Sequence, residues 1–188
     1  MKFIFKLIPF LIPIALFVFL FSPKSDPAVD AQSQGCNLIR ISDGDSIVCS
    51  MSIEQIQDGV TEQIQNEEKI RFCGIDAPEM SQPLGRESKQ KLTDFLQGKE
   101  IIISPIERDR YGRLVAEVFV KISQQSEEEL FINAEMVRSG MAYHYAQYSD
   151  SCWGRLEIED AENQARSRSI GVWNGTNEKP WDYRRRTN

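Results

Sequence analysis

The sequence predicts a small closed β-barrel with added helices, an α+β fold. Three observations carry that reading. Five short runs rich in β-branched and apolar residues recur between glycine-marked turns. A helical pattern follows the third run, and two more follow the fifth. Five short strands in that order suit closure into a barrel, and 188 residues are enough for one ordinary domain.

The first residues stand apart. Lys2 and Lys6 precede the apolar run "FLIPIALFVFLF", which ends at Phe21. Polar chain follows, with Val29 and Ala31 at the minus three and minus one positions of a cleavage site. Residues 1–31 therefore read as a signal peptide or an N-terminal membrane anchor, the anchor lying in residues 1–21. The expected location is exported: secreted, periplasmic, or held on the outer side of the cytoplasmic membrane. Residues 32–175 form the expected domain, and residues 176–188 a loose polar and basic tail.

Removing the three lysines and two aspartates of residues 1–31 leaves 19 basic and 26 acidic residues, a net charge of −7. That argues against a protein that coats nucleic acid by bulk charge. It leaves room for a local cation site. Four cysteines remain, Cys36, Cys49, Cys73 and Cys152, with no C-x-x-C pair to suggest zinc. In an oxidising compartment they predict up to two disulfides, with buried free thiols as the alternative. Cys36 and Cys49 flank "ISDGDSIVC" at similar distances and are the favoured pair.

The elements follow in order. Cys36–Ile41 and Ser46–Met51 read as strands about the Asp43–Gly44 turn. "SIEQIQDGVTEQIQNEE" reads as a long, solvated, acidic hairpin tip, and "KIRFCGI" as a third strand broken by Pro78. "PLGRESKQKLTDFLQG" is helical, with Leu92, Phe95 and Leu96 on one face and Gly98 as cap. "KEIIISPI" and "LVAEVFVKI" are strands separated by the turn "RYGR". "LFINAEMVRSG" and "WGRLEIEDAENQARSRSIGVW" complete the helices.

Three acids stand at chain breaks: Asp45 after the first turn, Asp76 at the end of the third strand, and Glu79 beyond Pro78. Two carboxylates held close repel, so a fold that keeps both tends to bring a cation. All-oxygen ligands favour Ca²⁺ or Mg²⁺. The plainer reading makes Asp43 and Asp45 turn residues and the other two loop charges. Arg71 and Arg113 add a second ingredient. Guanidinium groups beside a cation suit phosphoryl transfer, because both neutralise charge building on phosphate oxygens. Their plainer reading is surface ion pairing, with Asp109 beside Arg113.

"ISDGDSIVC", "IRFCGIDAPE", "DRYGRLVAEVFV" and "LFINAEMVRSGMA" occur in that order. Together they resemble the staphylococcal nuclease (thermonuclease) family from about Cys36 to Trp173. The resemblance implies a five-stranded OB-fold β-barrel with three helices. It implies Ca²⁺-dependent hydrolysis of DNA and RNA, leaving 5′-hydroxyl and 3′-phosphate ends. By motif, Asp45 and Asp76 resemble the calcium carboxylates, with the Ala77 carbonyl as a backbone ligand. Glu79 resembles the acid that positions or activates the attacking water. Arg71 and Arg113 resemble the phosphate-binding arginines, Tyr111 the tyrosine beside a terminal phosphate, and Tyr148 a nucleotide-stacking tyrosine. Ala77 departs from a more usual threonine, and the loop "MSQPLGRES" is shorter than in the staphylococcal enzyme.

The remaining aromatic signals have plainer readings. His144, the lone histidine, is expected to pack or hydrogen-bond, and Trp153, Trp173 and Trp181 to pack in the core or at helix ends. The function expected is a nuclease with little sequence preference, acting as a monomer on single-stranded or frayed DNA and on RNA. The rivals are a non-catalytic nucleic-acid-binding barrel and a cell-surface interaction module.

Overall fold

The computed structural model describes residues 33–57, 60–123, 125 and 127–187, with side-chain surroundings outside 53–62. The expected signal or anchor, residues 1–31, lies outside them, as does the 58–59 tip. Among the described residues, no helix is long and apolar enough to cross a membrane.

The elements run β1 (Gln34–Ile41), β2 (Ser46–Gln57), β3 (Val60–Phe72), β4 (Ile75–Asp76), α1 (Gly85–Leu96), β5 (Ile101–Arg108) and β6 (Leu114–Lys121). Then come β7 (Glu129–Phe131), α2 (Ile132–Arg138), β8 (Tyr143–His144), α3 (Arg155–Ser167) and α4 (Pro180–Thr187). The sheet order is β3-β2-β1-β5-β6, and a parallel β3–β6 pairing closes the barrel. This is the expected five-stranded OB-type barrel. β7 adds to the outside of β6, and β4 pairs with β8.

Alternation fills the barrel. Ile47, Cys49 and Met51 of β2 point inward, as do Ile70 and Phe72 of β3, Ile101 and Ile103 of β5, and Leu114, Ala116, Val118 and Val120 of β6. Each large apolar side chain buried there contributes about 1.5–3 kcal/mol. Leu92 and Leu96 of α1 are buried and Phe95 packs beside them, as the helical pattern predicts. α2 lies between β6 and α3, so Ile132, Ala134, Met136 and Val137 are all buried despite its short length. α3 buries Ile158, Ala161 and Ala165, a stripe at helical spacing.

All four cysteines pair. The favoured Cys36–Cys49 bond forms, and Cys73–Cys152 is the second. Cys73 is followed by Gly74, and the Gly74 turn separates β3 from β4, so the expected third strand is two.

Three expectations need correction. β2 and β3 continue as one antiparallel ladder to Gln57↔Val60, well beyond the predicted strand ends. Backbone N–H and C=O groups pair along a hairpin without requiring an apolar face. Residues 180–187 are helix α4 rather than loose tail, a fourth helix. Pro180 opens it with φ already helical, Asp182 lies in the first turn, and Arg184, Arg185 and Arg186 fill the last. Trp153 is exposed, whereas Trp173 packs edge-on against Tyr143.

Candidate active site

The site begins at the β1–β2 turn. Asp43 Oδ1 accepts the backbone N–H of Asp45 at 3.0 Å, an Asx turn that turns the chain into β2. Gly44 is required by space: a Cβ there would overlap the Ser88 hydroxyl of α1 and come within 2.8 Å of Ala77 Cβ. Asp45 emerges from this turn buried. The antiparallel register then sets Ser46 opposite Arg71, on the outer face of β3.

Arg71 joins the two aspartates. Its Nη1 lies 2.5 Å from Asp45 Oδ1, and its Nη2 lies 2.8 Å from Asp76 Oδ1. Asp45 also accepts Ser46 Oγ at 3.0 Å on Oδ1 and the Ala77 N–H at 2.6 Å on Oδ2. Asp76 is held by its β4 pairing with Tyr143 and is fully buried. Burial pushes its carboxyl pKa upward, against the pull of Arg184 and Arg71. Burial also works against the charge of Arg71, but Asp45 and Asp76 outweigh it and raise its pKa. Asp43 is pushed up to about 7 by burial and by the Asp45 carboxylate.

Glu79 completes the acids, and a second arginine reaches it. Arg184 of α4 places Nη2 2.7 Å from Asp76 Oδ2, and Nη1 3.1 Å from Asp76 Oδ1 and 2.6 Å from Glu79 Oε1. Three carboxylates thus face two guanidiniums, which leaves negative charge in excess. The Glu79 loop is braced by its own hydrogen bonds. Gln82 Oε1 accepts the Glu79 N–H at 2.9 Å, and the Gln82 N–H donates to the Glu79 carbonyl at 2.8 Å.

The other predicted residues stand around this cluster. Arg113 precedes β6 on the face that Arg71 shares, since Arg71 aligns with Val115. Its Nε and Nη2 both lie 2.7 Å from Asp109 Oδ2, so it pairs with its own turn and not with the acids. Tyr111 is exposed on that turn, under the guanidiniums of Arg110 and Arg113. Tyr148 is exposed and meets Tyr145 edge-on at 4.8 Å. His144 hydrogen-bonds Ser149 Oγ at 2.9 Å, in keeping with its plainer reading.

Sequence reasoning left Arg184 and Tyr145 out of the site, whereas Trp181 packs at the start of α4, as expected. Tyr145 stacks face to face on Trp181 at 4.8 Å with 3° between planes. The proline-started, arginine-ended segment "KPWDYRRR" signals a helix but not where that helix docks.

Among the described residues, no group of three or more His, Cys, Asp or Glu side chains is arranged to hold a metal ion. The donor chemistry nonetheless fits a hard dication. Asp45 and Asp76 are buried oxygen donors with a shared need for positive charge, which Arg71 and Arg184 meet in this arrangement.

A closed five-stranded barrel with paired buried aspartates and an adjoining glutamate at one edge defines the class. The chain belongs to the staphylococcal nuclease homologue family, whose model matches residues 69–175. It is 34% identical over 128 residues to a staphylococcal-like nuclease of Arabidopsis thaliana, covering 64% of this chain and 36% of that protein. The chain spans about a third of the length of the plant relatives it matches. It is 30% identical over 176 residues to an uncharacterized endonuclease of Escherichia coli, covering 93% of this chain and 97% of the relative. An uncharacterized endonuclease of Haemophilus influenzae is 32% identical over 159 residues, covering 84% and 77%.

Proposed function

We propose that this protein is a Ca²⁺-dependent nuclease that hydrolyses phosphodiester bonds of DNA and RNA with little sequence preference. The observation that carries the reading is the buried Asp45–Asp76 pair bridged by Arg71 with Glu79 close by, in a chain of this family. Asp45, Asp76 and the Ala77 carbonyl would hold Ca²⁺. When bound, the ion supplies a Lewis acid that polarises the phosphate. Glu79 orients or deprotonates the water that attacks phosphorus. Arg71 and Arg113 bind phosphate oxygens and stabilise charge as it builds there. For Arg113 this requires exchanging Asp109 for substrate, which its partly exposed position permits. Tyr111 and Tyr148, both exposed, flank the strand and stack on or bond to nucleotides. The products are 5′-hydroxyl and 3′-phosphate ends.

Export as a monomer fits the same reading. Two disulfides favour an oxidising compartment, with residues 1–31 as the leader or anchor. The acidic net charge of −6 implies weak long-range attraction for polyanions and a mild salt dependence.

The test is hydrolysis of denatured DNA by the purified chain with Ca²⁺, then with excess EGTA, beside Glu79→Gln. Cleavage that needs calcium and falls by orders of magnitude in the variant is expected. Nucleic acid bound but uncut by the folded chain would move the reading to a non-catalytic binding barrel. Arg184, seated on the acids, is the feature that favours that second reading.

A further inference from the structure

Helix α4 is seated on the site by contacts that surround it. Trp181 stacks on Tyr145 at 4.8 Å and meets Tyr143 edge-on at 5.7 Å. The Tyr183 hydroxyl and Ser81 Oγ lie 2.7 Å apart, next to the Glu79 loop. Gln82 Nε2 donates to the Glu178 carbonyl at 2.9 Å, fixing the chain just before the helix. These attachments all precede Arg184 in sequence and hold the helix without its help.

Arg184 then has one place to go. Its fork takes both oxygens of Asp76, at 2.7 and 3.1 Å, and its Nη1 also takes Glu79. Asp76 Oδ1 is shared with Arg71 as well. Three of the about four lone-pair directions of the Asp76 carboxylate are therefore occupied by guanidiniums. A dication bound by Asp76 needs one of those oxygens and repels the guanidinium beside it.

Resting on the calcium reading above, we propose that Arg184 is an internal counter-cation of the site, which a divalent ion must displace from Asp76. Ion binding and the Arg184–Asp76 contact are then mutually exclusive. The observed ion affinity is lowered by the fraction of chains in which Arg184 is seated. The coupling is reciprocal: whatever loosens α4 tightens ion binding. Displacement also frees Glu79 from Arg184, so the acid that handles water becomes available when the ion arrives.

The test is calorimetric titration of the full chain with CaCl2, comparing wild type, Arg184→Gln and Trp181→Ala. Circular dichroism checks each fold. Arg184→Gln is expected to bind calcium at least about tenfold more tightly. Trp181→Ala, which keeps every charge of the site and loosens the helix, is expected to tighten binding by a smaller factor. It carries the test if Arg184→Gln fails to fold. Equal or weaker binding in the folded variants overturns the proposal and leaves the calcium reading standing. No calcium binding by any of the three overturns both.

Discussion

Two turns in this molecule share a device and differ in setting. At the β1–β2 turn, Asp43 Oδ1 accepts the N–H of Asp45 two residues on. At the β5–β6 turn, Asp109 Oδ1 accepts the N–H groups of Tyr111 and Arg113 at 2.9 and 3.0 Å. The first turn is packed beneath α1, and burial with a carboxylate neighbour drives Asp43 up to about 7. The second faces water. Burial raises the Asp109 carboxyl there too, but Arg113 together with the turn's N–H groups outweighs it and pulls Asp109 below its usual range. The same local chemistry gives opposite proton affinities because the surroundings decide which charge is solvated. The buried turn can fix a carboxylate against the core, and the exposed one can offer an arginine to a passing ligand.

Variants can break this contrast. The largest stability effect is expected for Arg71→Ala, which leaves two buried carboxylates without their shared partner. A loss of about 3–5 kcal/mol is expected, read from urea denaturation without calcium. Arg113→Ala should lose turnover by orders of magnitude while stability falls by no more than about 0.5–1 kcal/mol, the worth of its pair with Asp109. A large stability loss there would show that the exposed turn is structural after all.

Next comes a pair of glycine substitutions. Gly44→Ala forces a methyl into Ser88 and Ala77 and should cost about 1–3 kcal/mol. Gly112→Ala meets nothing within 4 Å, and its φ of +77° leaves only backbone strain, about 1 kcal/mol. Equal costs in thermal denaturation would erase the distinction between a packed turn and an open one.

The smallest effect is expected at Asp109. Its carboxyl pKa is lower folded than unfolded, so it adds stability above the unfolded value, near 4. That contribution fades as pH falls through the folded value. Asp109→Asn should therefore cost about 0.5–1 kcal/mol at pH 7 and almost nothing near pH 2. A pH-independent difference between the two chains would assign the loss to the hydrogen bonds of the turn instead of its charge.

The contrast also marks how far the sequence could be read. Strand runs and turn glycines announced the barrel, because burial writes a pattern into the chain. Asp45, Asp76 and Arg71 were legible for a related reason: each sits at a strand end whose partner is set by register. The Cys36–Cys49 pair followed from the same hairpin. Arg184 was not legible. It lies 105 residues from Glu79, on a helix whose docking depends on Trp181 and Tyr183 finding aromatic and hydroxyl partners elsewhere. Nothing periodic in "PWDYRRR" names those partners. The length of β2 and β3 was hidden too, because backbone pairing needs no apolar code.

The Cys73–Cys152 bond spans 79 positions and encloses α1, β5, β6 and α2. Its effect extends beyond folding to what happens after the chain is cut. A protease that nicks the exposed stretch near Glu127 produces two polypeptides on a reducing gel and one without reductant. Asp76 and Glu79 on one fragment remain tethered to Arg184 on the other. Damage inside that loop therefore leaves the protein a single covalent unit.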